Sequence, residues 1–569
     1  MKLALFAAIP TLLSVVEPAQ SRAPGSQPPI DHSFAESLDV SLVELDVLVR
    51  GADGAPIRGL RARDFRVLEN GIERPIGGFS ERSAAGLEAA DQGESTLAGS
   101  DFLDADLTTL VVFLDHAALR PDRRSRVLSS LERYLRKRDR GLLARSTRLA
   151  LVSNDLPLDV QIPLTHDVEE FLDRLSRLPD PPASSARASL DRAQASERIG
   201  GGQGPSGSPT DLLDEVCNNA RLRVLSVFYE YVAGVERRNA RTLGGLDALF
   251  TILGGIPGRK TVLYVGEGLE LQPGVEMAQR VANTCPDLQG EMLSVTGSIA
   301  GDLRALAANA NAYRVTVYSF DAAGARADEL LEPQLRQLRA ANLQDSLNLL
   351  SRMTGGRLFR NIGDLRPALE QLQEDFAHSY SLAYVPADAT EGALREVRVE
   401  LVAPGSARAR IVHRRAIRTV GVTDRLVAGL LSALWMGEQD NPLGIQVAAT
   451  GPRLSGTLGV AIRAPYSALV LEDVQGESGE SRKVRLFLMG RAAERGSVTR
   501  PREMIEAVRE RELVRARATG FFEFHVDMDL EPGRWDVAVG VRDELTSRVS
   551  IVLVPSVDIG GNATKERSP

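Results

Sequence analysis

From Val43 to Val49 apolar residues recur at every second position, the period of a strand with one face buried. Turn residues Ala52-Asp53-Gly54 follow, then Phe65-Arg66-Val67-Leu68, a second turn at Glu69-Asn70-Gly71, and an apolar stretch from Ile76 to Phe79. Residues 38–82 therefore read as an N-terminal β unit, too short to bury a core of its own and expected to pack on something else.

After an acidic, Ala/Gly-rich stretch at 83–106 the period changes. Strands are predicted at 108–114, 148–152, 261–265, 315–320 and 357–360, and helices at 121–137, 167–178, 211–253, 299–311, 343–353 and 365–376. Pro121 suits a first helical turn. Residues 179–209, rich in Pro, Ala, Ser and Gly, break the series and read as a low-complexity insertion. Strands alternating with helices imply an α/β domain over 107–378 with a doubly wound, mostly parallel sheet, whose ligand crevice lies at the carboxyl ends of the strands.

From Tyr380 the pattern is β again, with strands at 380–385, 397–402 and 408–413. These are assigned to a segment, 379–418, that completes the N-terminal β unit. A short amphipathic helix at 425–435 then leads into strands near 443–450, 457–463, 484–489, 520–528, 535–542 and 548–554, a C-terminal β-sandwich over 422–557. Residues 558–569 read as a disordered tail.

The first 23 residues carry Lys2, an apolar run from Leu3 to Val16, and small residues around Arg22 at Ser21 and Ala23, the pattern of a secretory signal peptide. A Pro- and Ser-rich linker, 24–37, follows. Export to the periplasm or the exterior is expected. The apolar run is too short to span a bilayer, and no transmembrane segment is expected in the mature chain. Two cysteines, Cys217 and Cys285, lie 68 residues apart and are expected to pair in an oxidising compartment. The net charge of −8 argues against a nucleic-acid partner.

The motifs in the α/β region have a recognisable order. The strand Thr108–Leu114 ends in Asp115; Leu164-Thr165-His166-Asp167 enters a helix; then come Gly258-Arg259-Lys260-Thr261-Val262-Leu263, Val317-Tyr318-Ser319-Phe320-Asp321 and Thr354-Gly355-Gly356. This series resembles a von Willebrand factor A-related domain. With Gly59-Leu60, Asp64-Phe65, Glu69-Asn70-Gly71 and Tyr380-Ser381-Leu382-Ala383-Tyr384 around it, residues 38–418 are similar to the exported proteins of that type described from acidobacterial genomes.

The resemblance implies a metal ion-dependent adhesion site, in which an Asp-x-Ser-x-Ser loop, a Thr and a second Asp hold Mg²⁺ or Ca²⁺ through hard oxygens. Here the first loop reads Asp115-His116-Ala117-Ala118-Leu119, with both serines replaced, and the third-loop Asp position is Gly266, beside Glu267. Asp115 and Thr210 remain as candidate ligands of a degenerate site, Thr210 being equally a helix N-cap. No cofactor is expected beyond weak Mg²⁺ or Ca²⁺ binding.

Other chemistry is scarce. Gly258-Arg259-Lys260-Thr261 precedes its strand, whereas a phosphate-binding loop follows one. The six histidines form no HExxH pair, and there is no Gly-x-Ser-x-Gly elbow. The expectation is a non-enzymatic protein-interaction module. Its protein partner, in the envelope or outside the cell, would meet an acidic, partly flexible strand-end face formed by Asp115, His116, Glu267, Glu270 and Asp321. The alternatives are a structural envelope protein, or an enzyme or assembly factor with an unrecognised site.

Overall fold

The computed structural model describes residues 43–82, 108–136, 147–154, 158–179, 184–200, 221–288, 290–292, 296–322, 331–360, 364–387, 390–403, 408–454, 456–469, 482–508, 510–544 and 546–560. Thr210, Cys217, the signal sequence and residues 561–569 fall outside these residues, and the tail read from residue 558 is corrected at its start, since the last strand runs to Ile559.

The chain opens with β1 (Val43–Arg50), β2 (Phe65–Glu69), β3 (Ile72–Arg74) and β4 (Ile76–Arg82). Asn70 and Gly71 both have positive φ, so β2 and β3 join through the tight two-residue turn that right-handed strand twist favours.

The central region contains β5 (Thr108–Leu114), α1 (Pro121–Arg136), β6 (Thr147–Asn154), β7 (Leu158–Thr165), α2 (Val168–Ser176), α3 (Ser184–Gly200) and α4 (Arg221–Leu253). It continues with β8 (Arg259–Gly266), α5 (Val275–Thr284), α6 (Ala300–Ala312), β9 (Val315–Asp321), α7 (Pro333–Met353), β10 (Leu358–Phe359) and α8 (Arg366–Ala377). Its six strands run β10-β9-β8-β5-β6-β7 across one sheet. All neighbours are parallel except β7, which lies antiparallel at the edge. Chain order reverses between β5 and β8.

Alternate residues of each strand enter different cores. Val111, Phe113, Val262, Tyr264 and Val317 face α4, α6 and α7, whereas Leu110, Val112, Leu114, Leu263 and Phe320 face α1, α2 and α8. Every residue of β5, β6, β8 and β9 is buried, as expected for strands covered on both faces.

The structure revises several parts of the sequence reading here: α5 is absent from the predicted helices, and α7 begins at Pro333, ten residues before the predicted start. The low-complexity insertion at 179–209 includes a helix, α3. Ala195 and Ile199 of α3 join Phe228 and Tyr231 of α4 and Met277 and Val281 of α5 in a separate core above the sheet. The run of strands also includes β7, which the sequence reading passed over. The long helix α4 therefore serves two cores: its C-terminal half packs on the sheet and its N-terminal half on α3 and α5.

The chain then returns through β11 (Ser379–Tyr384), β12 (Leu394–Leu401), β13 (Arg410–Val412) and β14 (Ala416–Arg418). These strands hydrogen-bond to the first four: β13-β1-β11-β4 is one sheet and β14-β12-β2-β3 another. Leu45, Val47, Phe65, Val67, Tyr380, Leu382, Tyr384 and Val397 fill the space between them. Neither segment buries these residues alone. Asp375 of α8, fully buried, accepts from Arg50 of β1 and from the Tyr318 hydroxyl, tying this sandwich to the α/β region.

A helix, α9 (Val422–Met436), leads into β15 (Gln446–Leu454), β16 (Thr457–Pro465), β17 (Arg482–Ala492), β18 (Arg502–Val508), α10 (Glu510–Thr519), β19 (Phe521–Asp529), β20 (Gly533–Asp543) and β21 (Val549–Ile559). The sheets β15-β16-β19 and β18-β17-β20-β21 share a core that includes Ile462, Leu486, Val526 and Val539. From Leu426 onward α9 is almost wholly apolar because it is covered on two sides, by the α/β region through Ala428 and Met436 and by the second sheet through Leu430 and Leu434, while its first turn exposes Thr423, Asp424 and Arg425.

Candidate functional site

The reversal of strand order places the loops after β5 and β8 side by side at the carboxyl end of the sheet, where such sheets leave a crevice. Asp115 directly follows β5 there, and it is completely buried. Tyr264 Oη donates to its Oδ2 at 2.5 Å, and Thr242 Oγ1 of α4 lies 3.2 and 3.3 Å from its two oxygens. Asn154 in turn donates to Thr242 at 3.3 Å. With the backbone amides of Ala117 and Ala118, four donors surround one carboxylate. Burial raises the Asp115 pKa to about 6, and those hydrogen bonds oppose the rise. The same burial, with the nearby carboxylate, pushes the Tyr264 hydroxyl well up, so it remains a donor.

This packing explains the glycine at 266. A β-carbon there would lie 2.9 Å from Tyr264 Oη and 3.1 Å from Asp115 Cβ. An aspartate at that position would have to displace the tyrosine that caps Asp115. Tyr264 lies on β8 and Thr242 far along α4, and sequence reading singled out neither.

The loop after β8 is pinned from two helices. The Asn239 amide of α4 donates to Glu270 O at 2.9 Å and accepts from Glu270 N at 3.2 Å; Asn342 of α7 makes the same pair of bonds with Gln272, at 2.9 and 2.8 Å. Leu269 N donates to Ser346 Oγ at 3.2 Å. Gly268 takes φ +98° where a β-carbon would meet Leu343 O at 2.8 Å, so only glycine fits the close approach.

The predicted acidic face is revised accordingly. His116, Glu270 and Asp321 are 5%, 4% and 1% exposed, and Asp115 is fully enclosed. Glu270 Oε2 accepts from Gly274 N at 3.0 Å and its Oε1 lies 3.6 Å from Arg339; Asp321 accepts from Gln344 at 2.9 Å. Of the five residues only Glu267 keeps appreciable exposure, 3.6 Å from Arg120 Nε. The reason is tertiary: α3, α4 and α7 close over the strand ends. Thr210, the other candidate ligand, lies outside the described residues, and among those described no group of three His, Cys, Asp or Glu side chains is placed to hold a metal.

What remains open between the two loops and the three helices is a cleft with a void of about 50 Å³. Four arginines line it: Arg120 from the loop after β5, Arg192 from α3, Arg238 from α4 and Arg339 from α7. Behind it Glu276 of α5 is wholly buried, accepts from Tyr231 Oη at 2.7 Å, and lies 3.7 Å from Arg339 and 3.9 Å from Arg192. Burial, with Glu270 close by, raises the Glu276 pKa against the pull of those arginines. The cleft is thus basic rather than acidic.

Cys285 is 1% exposed at the end of α5, packed in the α3–α4–α5 core. Among the described residues no helix is long and apolar enough to cross a membrane.

No family model matches the chain, and no curated protein matches it. Among solved structures, proximal thread matrix protein 1 from the mussel byssus aligns at 11% identity and a TM-score of 0.22, covering 48% of each chain. The pilus adhesin SpaC from Lactobacillus rhamnosus GG, in its open conformation, covers 87% of this chain and 56% of its own at 8% identity and a TM-score of 0.25. Three N-terminal domains of the type V pili tip protein Mfa5 from Porphyromonas gingivalis cover 90% and 77% at 7% identity and 0.23. The chain spans about half the length of the first two. TM-scores this low establish neither a shared fold nor a shared activity.

Proposed function

We propose that the chain is an exported, non-enzymatic protein-interaction module. Its α/β region is read as a von Willebrand A-type domain whose metal ion-dependent adhesion site has degenerated. One observation carries the reading: at the reversal of strand order, where a doubly wound sheet binds its ligands, Asp115 is saturated by Tyr264, Thr242 and two backbone amides. A metal ion there would have to displace those donors, so recognition falls to the protein's own charged groups at the mouth of the cleft. Arg120 and Glu267 are the partly exposed pair among them.

Crosslinking and affinity capture of the mature protein from its own envelope fraction test this. The expected result is a discrete, saturable partner whose capture changes on charge reversal by Arg120→Glu or Glu267→Arg. Binding that never saturates would favour a structural envelope role. A partner indifferent to both reversals would move the contact surface away from the cleft, to the C-terminal sandwich.

A further inference from the structure

The charges lining the cleft do not balance. Arg339 and Arg192 point to Glu270 and Glu276, and Arg120 pairs with Glu267. Arg238 makes no ion pair or hydrogen bond among the described residues, and its Nη2 is buried without an acceptor. A guanidinium nitrogen withdrawn from water and left unpaired is costly, and the cost is removed when an anion supplies the missing acceptor.

We infer that this cleft binds a single carboxylate group, gripped by Arg238 with Arg120 beside it, and that the carboxylate belongs to an acidic peptide segment. Three features select that chemistry. The void of about 50 Å³, space for three or four waters at roughly 10–15 Å³ each, admits a group the size of a carboxylate. Glu267 and Glu270 already line the cleft, so a dianionic phosphate would be repelled where a monoanion meets one uncompensated cation. A planar carboxylate also matches the guanidinium fork with two parallel hydrogen bonds.

The peptide source follows from what lies on the other side of Arg238. The same residue lines a second cleft, of about 160 Å³, between α3 and α4, together with Arg198, Arg237, Asp191 and Glu230. A carboxylate carried on an extended chain would reach Arg238 while its neighbours occupy this larger groove of mixed charge. The inference deepens the interaction reading and rests on it for the source of the carboxylate.

Calorimetric titration of the full chain tests it, using an end-blocked Gly/Ser octapeptide with one central Glu, its Gln counterpart, sodium acetate and inorganic phosphate. The Glu peptide is expected to bind, the Gln peptide not, and Arg238→Gln to weaken binding by about tenfold or more. Its thermal midpoint should hold or rise, because a buried nitrogen without an acceptor has been removed. Arg238→Lys, which keeps the charge without the fork, should also weaken binding, and it serves if the Gln variant folds poorly. Acetate binding as tightly as the peptide would overturn the peptide source and leave the carboxylate. The assignment itself is overturned by phosphate binding more tightly than the Glu peptide, by wild type failing to distinguish Glu from Gln, or by equal binding to wild type and both Arg238 variants. An envelope partner captured equally by wild type and Arg238→Gln would end this inference and leave the interaction reading standing; Glu-peptide binding without any saturable partner would do the reverse.

Discussion

Tyr264 Oη donates to Asp115 Oδ2 at 2.5 Å, joining the ends of two neighbouring parallel strands across the reversal of strand order. The bond holds a carboxylate in the interior without a cation beside it, and it makes stability depend on pH in an unusual sense. Asp115 has an ordinary value of 3.8 and a folded value of about 6, raised by burial. Between these two values the folded chain keeps a proton that the unfolded chain has released, so this residue's contribution to stability falls as pH rises, by up to about 1.4 kcal/mol per unit, and levels off above. Asp115→Asn should remove that slope. Urea melts of both proteins from pH 4 to pH 7 check it: a wild-type-minus-variant difference that stays constant across the window would refute the expectation.

Divalent metal should bind weakly. With Ala117 and Leu119 offering no side-chain oxygen and Asp115 filled by protein donors, titration with Mg²⁺, Ca²⁺ or Mn²⁺ should reveal no site tighter than roughly millimolar, the weak end for oxygen ligands. A micromolar site lost in Asp115→Ala would show that the carboxylate is available after all.

Where α9 meets the α/β region, glycine is required by backbone and not by rotamer. A β-carbon on Gly255 would fall 2.4 Å from Ala428 O and 2.6 Å from Gly429 Cα, whereas one on Gly429 would meet only the terminal Cδ1 of Ile551, at 2.2 Å. The turn backbone after α4 and the helical backbone of α9 cannot yield as a side chain can. Gly255→Ala should therefore cost about 3 kcal/mol and Gly429→Ala about 1 kcal/mol, within the usual range for overpacking. Equal losses in denaturant melts would contradict this.

Cys285 is expected to be bridged to Cys217 in the exported protein. Peptide mapping without reduction should recover the linked pair, and reduction should lower stability by about 4 kcal/mol for a loop of 68 residues. Recovery of both cysteines as free thiols would exclude the bridge.

Strands buried on both faces announce themselves locally: Thr108–Leu114 is an unbroken apolar run after two threonines, and β5 occupies those residues. The tight turn at Asn70-Gly71 and the proline opening α1 are equally local, because φ preferences act within one or two residues. Elements with a weak or contradictory local signal escaped. β7 alternates from Leu158 to Ile162 but contains Pro163, which edge strands tolerate; β18, absent from the predicted strands, also lies at a sheet edge; α3 has a helical composition of Ala, Arg and Gln but few apolar residues, and its hydrophobic partners are on α4 and α5.

The candidate site divides along the same line. That Asp115 follows a strand and that its loop offers no serine is written in the residues around it. That it is enclosed, that Glu270 and Asp321 are buried with it, and that arginines from three helices and a loop converge above them depends on how α3, α4 and α7 pack over the strand ends. Residues as distant in the chain as Arg120 and Arg339 become neighbours only when the sheet is complete. Charge on a loop is a local property, whereas exposure of that charge is set by whatever element covers it, and only the tertiary structure supplies the cover.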